Sequence, residues 1–256
     1  NYCTDLEDLK TKITEDTKVF LISHMRGNLS EMDEVKKICD KNGVILLEDC
    51  AHSLGSSYQG THTGLFGKAG CFSTQSHKMI NSGEGGFLIT NDEELISKAI
   101  LYAGSQETFW QRHFISSDYL PKYQEYIPNI SARMSNLNAA ILHSQLKYVD
   151  EWVKKYRMNY YAMKSIISKS EHLFIPEDYR GVYRGQDTIQ FNVSDFTVDE
   201  LNNFVALMAK DGIKIKVFGY EGNPRFFKSW KYIDGIEKVQ LPKTEQILKF
   251  ACDLRL

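Results

Sequence analysis

The sequence shows no sign of a disulfide framework, a zinc site or a membrane span. Its five cysteines are odd in number and scattered, and no two form a C-x-x-C pair, so we expect reduced thiols and a cytoplasmic protein. No uninterrupted apolar run approaches the roughly eighteen residues that a membrane helix needs, which predicts no membrane partner. The formal net charge is −2, and without a basic excess we expect no nucleic-acid partner.

Two glycine-rich phosphate motifs are also missing. Glycines are frequent over residues 55–70 and suggest a phosphate loop at Gly67, but His62 stands at the first glycine position of that motif and Ala69 replaces its Ser or Thr. No G-x-G-x-x-G leads from a strand into a helix, which excludes the dinucleotide fingerprint. The histidines of this region lack the spacing of metal ligands, so we predict no metal site.

A strand–helix–strand pattern dominates the first part of the chain. Lys18 to Ile22 and Val44 to Leu47 are apolar runs typical of buried strands, and Glu31 to Asp40 carries apolar residues at helical spacing. Such a βαβ unit predicts a parallel sheet with a right-handed crossover. Because ligands of open α/β sheets gather at the carboxyl ends of the strands, Glu48 and Asp49 are well placed for function.

The second half of the chain has a different texture. A long helical pattern runs from Met134 to Ile167. Short elements follow, with two strands and a helix predicted over residues 186–193, 213–217 and 198–210. We therefore predict two domains: a large α/β domain over residues 1–150 and a small C-terminal α+β domain over residues 151–256.

Asp49, Ser73 and Lys78 form a candidate cofactor site. Pyridoxal phosphate (PLP) needs an acid for its pyridine nitrogen, donors for its phosphate and a lysine for its aldehyde, and these residues supply one of each. Lys78 lies between a strand predicted over residues 69–73 and the glycine-rich turn Gly83 to Gly86. A purely structural interpretation stays open at this point, because acids at strand ends and lysines after strands are common.

Motifs that match a known family extend over most of the chain. They are Ser23 to Gly27 with Met32-Asp33, Glu48 to His52, Phe72-Ser73 with Lys78, Gly83 to Gly86, Arg133 to Ala140 with Gln145-Leu146, and Leu241 to Glu245. Together they resemble the DegT/DnrJ/EryC1/StrS aminotransferases, which implies the PLP-dependent transferase fold type I. The resemblance also implies an incomplete chain, truncated at both ends, because family members carry a phosphate loop and a ring-stacking aromatic residue upstream of these motifs.

The resemblance implies a role for each residue of the candidate site. Lys78 is expected to be the Schiff-base lysine and the catalytic proton shuttle. Asp49 is expected to keep the pyridine nitrogen protonated, which lets the ring accept electrons. His52 corresponds to a residue beside the cofactor ring, and Ser73 corresponds to a phosphate ligand.

The family further implies a homodimer with its sites at the subunit interface. Family members commonly place an Asn two residues before the arginine that corresponds to Arg133, where it reaches the phosphate of the partner subunit. That position is Ser131 in this chain, and Asn129 lies two residues earlier. Either residue is a candidate for the cross-subunit phosphate contact.

The implied activity moves an amino group from an amino acid, with L-glutamate expected, to a nucleotide-linked keto-sugar. One alternative is a sugar dehydratase of the same family, in which His replaces the lysine; Lys78 argues against it, although His77 is adjacent. The other is a non-catalytic family member, which the missing upstream segment favours. Val217 to Tyr220 stands in place of a His-Tyr-Pro segment that often lines the family's sugar pocket, so the substrate stays open.

Overall fold

The computed structural model describes residues 2–104, 117–128, 130–185 and 187–256. Its helices are α1 (Leu6–Lys12), α2 (Met32–Lys41), α3 (Glu93–Tyr102), α4 (Tyr119–Tyr123), α5 (Asn136–Leu146), α6 (Val149–Ile167), α7 (Val198–Lys210) and α8 (Pro242–Lys249). Its strands are β1 (Val19–Ser23), β2 (Ile45–Asp49), β3 (Ser57–Tyr58), β4 (Thr61–His62), β5 (Ala69–Ser73), β6 (Gly86–Ile89), β7 (Leu173–Phe174), β8 (Val182–Tyr183), β9 (Thr188–Val193), β10 (Lys216–Val217) and β11 (Ala251–Arg255). These elements form two compact units, one of residues 2–153 and 178–185 and the other of residues 154–177 and 187–256.

The larger unit is built on a sheet of order β1–β2–β5–β6. β1, β2 and β5 are parallel, whereas β6 pairs antiparallel with β5. Helix α2 connects β1 to β2, so the βαβ unit predicted from the sequence is present. The same unit holds a small sheet of order β4–β3–β8, in which β8 comes from the segment over residues 178–185.

Helix α2 and the sheet bury their apolar faces against each other. Val35 and Cys39 of α2 pack in one cluster with Ile22 of β1 and Leu46 of β2. Their neighbours along the strands face the other way, since side chains alternate along a strand, and Leu21 is 62% exposed. This alternation also decides which strand-end residues enter the core and which stay open.

The parallel register aligns the carboxyl ends of the strands. Ser23 of β1 lies beside Asp49 of β2, and Asp49 lies beside Cys71 of β5. The connection between β5 and β6, residues 74–85, contains Lys78 and is called the Lys78 loop below. The fold therefore brings the predicted acid and the predicted lysine segment to the same edge of the sheet.

The smaller unit is an antiparallel sheet of order β10–β11–β9–β7 packed with helices. Its core includes Tyr160 of α6, Phe191 of β9 and Leu201 of α7. Helix α7 begins at a capping box, in which Thr197 and Glu200 satisfy each other's backbone N–H groups. This helix has the bounds that the sequence predicts.

Three features of the helices and strands differ from the sequence-based prediction. The strand predicted over residues 213–217 is limited to β10 (Lys216–Val217). The long helical pattern is two helices, α5 and α6, because Tyr148 N–H donates to the carbonyl of Gln145 (2.9 Å) and ends the regular ladder. Strand β11 was not predicted, although it occupies the middle of the smaller sheet. None of the helices in the described part of the chain is long and apolar enough to cross a membrane.

Candidate active site

Asp49 is the last residue of β2 and is half-buried. Its Oδ1 accepts a hydrogen bond from Ala51 N–H (3.0 Å), and its Oδ2 accepts one from the Ser23 hydroxyl (2.8 Å). A carboxylate accepts about four hydrogen bonds, so these two donors orient the group without saturating it. The carboxylate keeps acceptor capacity for a cationic or N–H donor of a ligand.

Lys78 and His52 approach each other at this edge of the sheet. The Lys78 Nζ lies 3.2 Å from the His52 Nε2, and both side chains are half-buried. His52 belongs to the turn that follows β2, three residues after Asp49, whereas Lys78 comes from the next strand connection. The structure thus joins two predicted site residues that are 26 positions apart.

Ser73 ends β5 beside Gly86, the first residue of β6. Its Oγ accepts a hydrogen bond from Gln75 N–H (3.3 Å), and the side chain is half-buried. A Cβ on Gly86 would lie 2.5 Å from the Phe72 carbonyl, so β6 meets β5 this closely only because of the glycine. The hydroxyl predicted to contact phosphate is therefore held at the start of the Lys78 loop.

Glu48, next to Asp49, faces the opposite side of the sheet and is 1% exposed. Its carboxylate accepts hydrogen bonds from the N–H groups of Gly64, Phe66 and Gly67 (each 2.8 Å). The Nε2 of His24 lies 3.0 Å from its Oε2. Burial alone would raise the pKa of Glu48, but the hydrogen bonds from His24 and the backbone outweigh it and lower this pKa.

Cys50 lies close to this pair. One possible metal-ligand atom from each of His24, Glu48 and Cys50 lies within 4.8 Å of the other two. Burial, followed by the negative charge of Glu48, raises the pKa of Cys50 to about 12. The thiol is therefore protonated at neutral pH and is neither a nucleophile nor a ready metal ligand. Because backbone donors already occupy the Glu48 oxygens, we assign this cluster a structural role.

The two candidates for the cross-subunit phosphate contact are placed differently. Asn129 lies outside the described residues. Ser131 is exposed and has a φ of 53°, a left-handed conformation that is uncommon for a residue other than glycine. The role expected of either residue stays a prediction.

The residues brought together here fit PLP by the chemistry of their donors. Asp49 offers an oriented carboxylate with spare acceptor capacity, Lys78 a primary amine, and Ser73 a hydroxyl at a strand end. A pyridinium, an aldehyde and a phosphate need these three partners. The sequence did not identify Ser23 as a site residue, because only the strand register reveals its contact with Asp49.

The chain belongs to the DegT/DnrJ/EryC1/StrS aminotransferase family, whose sequence profile matches residues 1–256. The family predicted from the motifs is therefore confirmed. The members of this family are described as aminotransferases, and the family's aminotransferases depend on PLP, which confirms the predicted cofactor at the level of the family.

Two curated relatives illustrate the similarity. GDP-perosamine synthase of Vibrio cholerae is 32% identical over 152 residues, which are 59% of this chain and 39% of the relative. L-glutamine:2-deoxy-scyllo-inosose aminotransferase of Streptomyces lividus is 30% identical over 177 residues, 69% of this chain and 41% of the relative. The matched region thus spans about two fifths of the length of these relatives.

Solved structures support the fold. Spr1654 of Streptococcus pneumoniae in its PLP form matches with a TM-score of 0.78 at 19% identity, covering 100% of this chain and 67% of that one. Similarity at this level of identity supports the fold and no other property. The predicted transferase fold type I is confirmed.

Proposed function

We propose that this protein is a PLP-dependent aminotransferase that transfers an amino group from an amino acid to a keto-sugar, with L-glutamate as donor and a nucleotide-linked sugar as acceptor. The approach of Lys78 to His52 carries the proposal, because it brings an amine to the turn that directly follows the acid that a pyridine ring requires. Bound PLP supplies an aldehyde and an electron-accepting ring.

Each residue of the site has a defined task in this proposal. Lys78 would hold the aldehyde of PLP and, once the donor's amino group has displaced it, the freed amine would move the proton of the donor's α-carbon. Asp49 accepts a hydrogen bond from the pyridine nitrogen and keeps that nitrogen protonated. His52 orients the Lys78 amine through the 3.2 Å contact, and Ser73 binds the phosphate.

The substrates are inferred from the names of relatives. GDP-perosamine synthase carries a nucleotide in its name, which supports a nucleotide-linked sugar. The Streptomyces lividus relative is named for L-glutamine as donor, so glutamine competes with glutamate in our proposal. We further propose a cytoplasmic homodimer, in which Asn129 or Ser131 of the partner subunit reaches the phosphate.

The test is amino transfer by the full-length protein with PLP. We expect L-glutamate or L-glutamine to change the cofactor's visible absorbance in the wild type, and Lys78→Ala to abolish turnover because it removes the amine. Glu34→Gln, a change on α2 at a side chain that is 45% exposed, should leave turnover unaltered. Full activity of Lys78→Ala would refute the proposal.

The two alternatives give different results in the same assay. A dehydratase would release water from the keto-sugar precursor without consuming an amino donor. A non-catalytic family member would bind neither PLP nor donor productively, so the absorbance would not respond. The primary amine of Lys78 argues against both.

A further inference from the structure

The sequence motif on α5 has no task in the function proposed so far. This helix directs two amide side chains at the backbone of the Lys78 loop. Asn138 Nδ2 donates to the Glu84 carbonyl at 2.9 Å. Gln145 accepts from the Asn81 N–H at 3.1 Å and donates to the Asn81 carbonyl at 2.7 Å. One glutamine side chain therefore binds both backbone polar groups of a loop residue 64 positions away.

The orientation of the Gln145 amide follows from its contacts. Besides the bond to Asn81, its Nε2 donates to the Ile141 carbonyl in its own helix at 3.1 Å. Both amide hydrogens thus face carbonyl oxygens and the amide oxygen faces an N–H, whereas the flipped amide would place like groups together. The two bonds to Asn81 resemble the pairing of two residues in a β-sheet, with the Gln145 amide in place of one backbone.

The base of the Lys78 loop is closed by its own backbone. Thr74 N–H donates to the Gly85 carbonyl (2.9 Å), and Ser76 N–H donates to the Gly83 carbonyl (2.8 Å). The turn beyond these bonds contains Lys78 and Asn81, and Ile80 between them is 1% exposed. Gln145 holds the polar backbone of this turn while Ile80 anchors its apolar side.

We propose that Gln145 is a positioning residue for Lys78, an inference that rests on the proposed function. Gln145 touches the loop three residues after Lys78 and acts through the backbone. An amine that must reach one cofactor carbon depends on backbone placement, since displacements of about 1 Å lower the rates of such reactions strongly. Losing two hydrogen bonds should lower the population of the ordered loop about tenfold or more.

The test combines two readouts on Gln145→Ala. Hydrogen exchange in the protein without cofactor reports on the loop, and the rate at which PLP and borohydride label Lys78 reports on amine placement. We expect amides of residues 79–83 to exchange about tenfold faster and labelling of Lys78 to slow by a similar factor. His143→Ala, an exposed change on the same helix, should alter neither.

Gln145→Glu tests the two hydrogen bonds to Asn81 separately. Its carboxylate still accepts from the Asn81 N–H but no longer donates to the Asn81 carbonyl. We expect near wild-type exchange of the Asn81 amide with slower labelling of Lys78. This variant keeps the inference testable if Gln145→Ala does not fold.

The outcomes distinguish the positioning role of Gln145 from the proposed function on which it rests. Labelling of Lys78 at the wild-type rate in both Gln145 variants overturns the positioning role, as does an equal effect of His143→Ala. A wild-type protein that is never labelled overturns the proposed function instead. In that case, the exchange data still report whether Gln145 orders the loop.

Discussion

Glu48 and Asp49 are adjacent carboxylates at the end of one strand, and their surroundings are opposite. Glu48 faces the core, is 1% exposed, and meets three backbone N–H groups and a histidine. Asp49 faces the other side, is half-buried, and has one donor on each oxygen among the described residues. Because side chains alternate along a strand, one residue of sequence separates these two environments.

The difference supports a structural role for Glu48 and the proposed ligand-binding role for Asp49. A buried charge is tolerated when its hydrogen bonds are complete, and Glu48 meets this condition within the protein. It also joins β2 to the turn over residues 64–67. Asp49 is oriented but not saturated, which is the state that a cofactor-binding acid needs before its ligand arrives.

The largest effect on stability is expected from Glu48→Gln. Both oxygens of Glu48 accept from N–H groups, so either orientation of the Gln amide turns its NH₂ group toward at least one donor. We expect the free energy of unfolding to fall by about 3 kcal/mol, the upper end of the usual cost of leaving a buried hydrogen-bonding group unpaired. Urea unfolding measures this, with Glu34→Gln as the control for the loss of a glutamate charge at a partly exposed side chain.

Acid titration sharpens the same prediction. The folded pKa of Glu48 lies below its ordinary value of 4.5, so its stabilising contribution is complete above the unfolded pKa. That contribution is lost as the pH falls through the folded pKa. The stability of Glu48→Gln should therefore depend less on pH below about 5; a stability profile parallel to that of the wild type would contradict the role given to Glu48.

Asp49→Asn should have the opposite effect, with little change in stability and a large loss of PLP affinity. The Asn side chain still accepts from Ala51 N–H, and the Ser23 hydroxyl can rotate to accept from its NH₂ group, so unfolding should change by less than about 1 kcal/mol. PLP affinity should fall by about tenfold to a hundredfold, because a hydrogen bond to a charged group is lost. Equilibrium dialysis with PLP measures the effect; a loss of stability as large as that of Glu48→Gln would erase the contrast.

Ser23→Ala should have the smallest effect. It removes one neutral donor from Asp49 Oδ2, worth about 1 kcal/mol, so PLP affinity should fall about fivefold. Ser23→Thr keeps the hydroxyl and should restore binding. Equal affinities for the Ala variant and the wild type would show that Ala51 N–H suffices to orient Asp49.

Local sequence patterns predicted a good part of this fold. The βαβ unit, the strands around the Lys78 loop and helix α7 follow from apolar runs and periodicity, which act within a few positions. The acid and the lysine segment were recognised because the ends of parallel strands share one edge of a sheet. Family motifs then supplied the chemistry that the spacing alone left open.

Contacts between distant segments escaped prediction. Ser23 meets Asp49 across 26 positions, and Gln145 meets Asn81 across 64; neither pairing has a local signature. Strand β11 contains the buried polar residue Asp253 and so lacks the alternation that marks a half-buried strand. The break between α5 and α6 contains neither Pro nor Gly, so the periodic pattern continues across it.

The central claim is that Asp49 and Lys78 form a PLP site at the open edge of the sheet. The most direct measurement incubates the full-length protein with PLP, reduces it with borohydride and maps the modified lysine by mass spectrometry. We predict a phosphopyridoxyl group on Lys78, with less of it in Asp49→Asn. Modification of a different lysine such as Lys68, or no modification at all, would contradict the account.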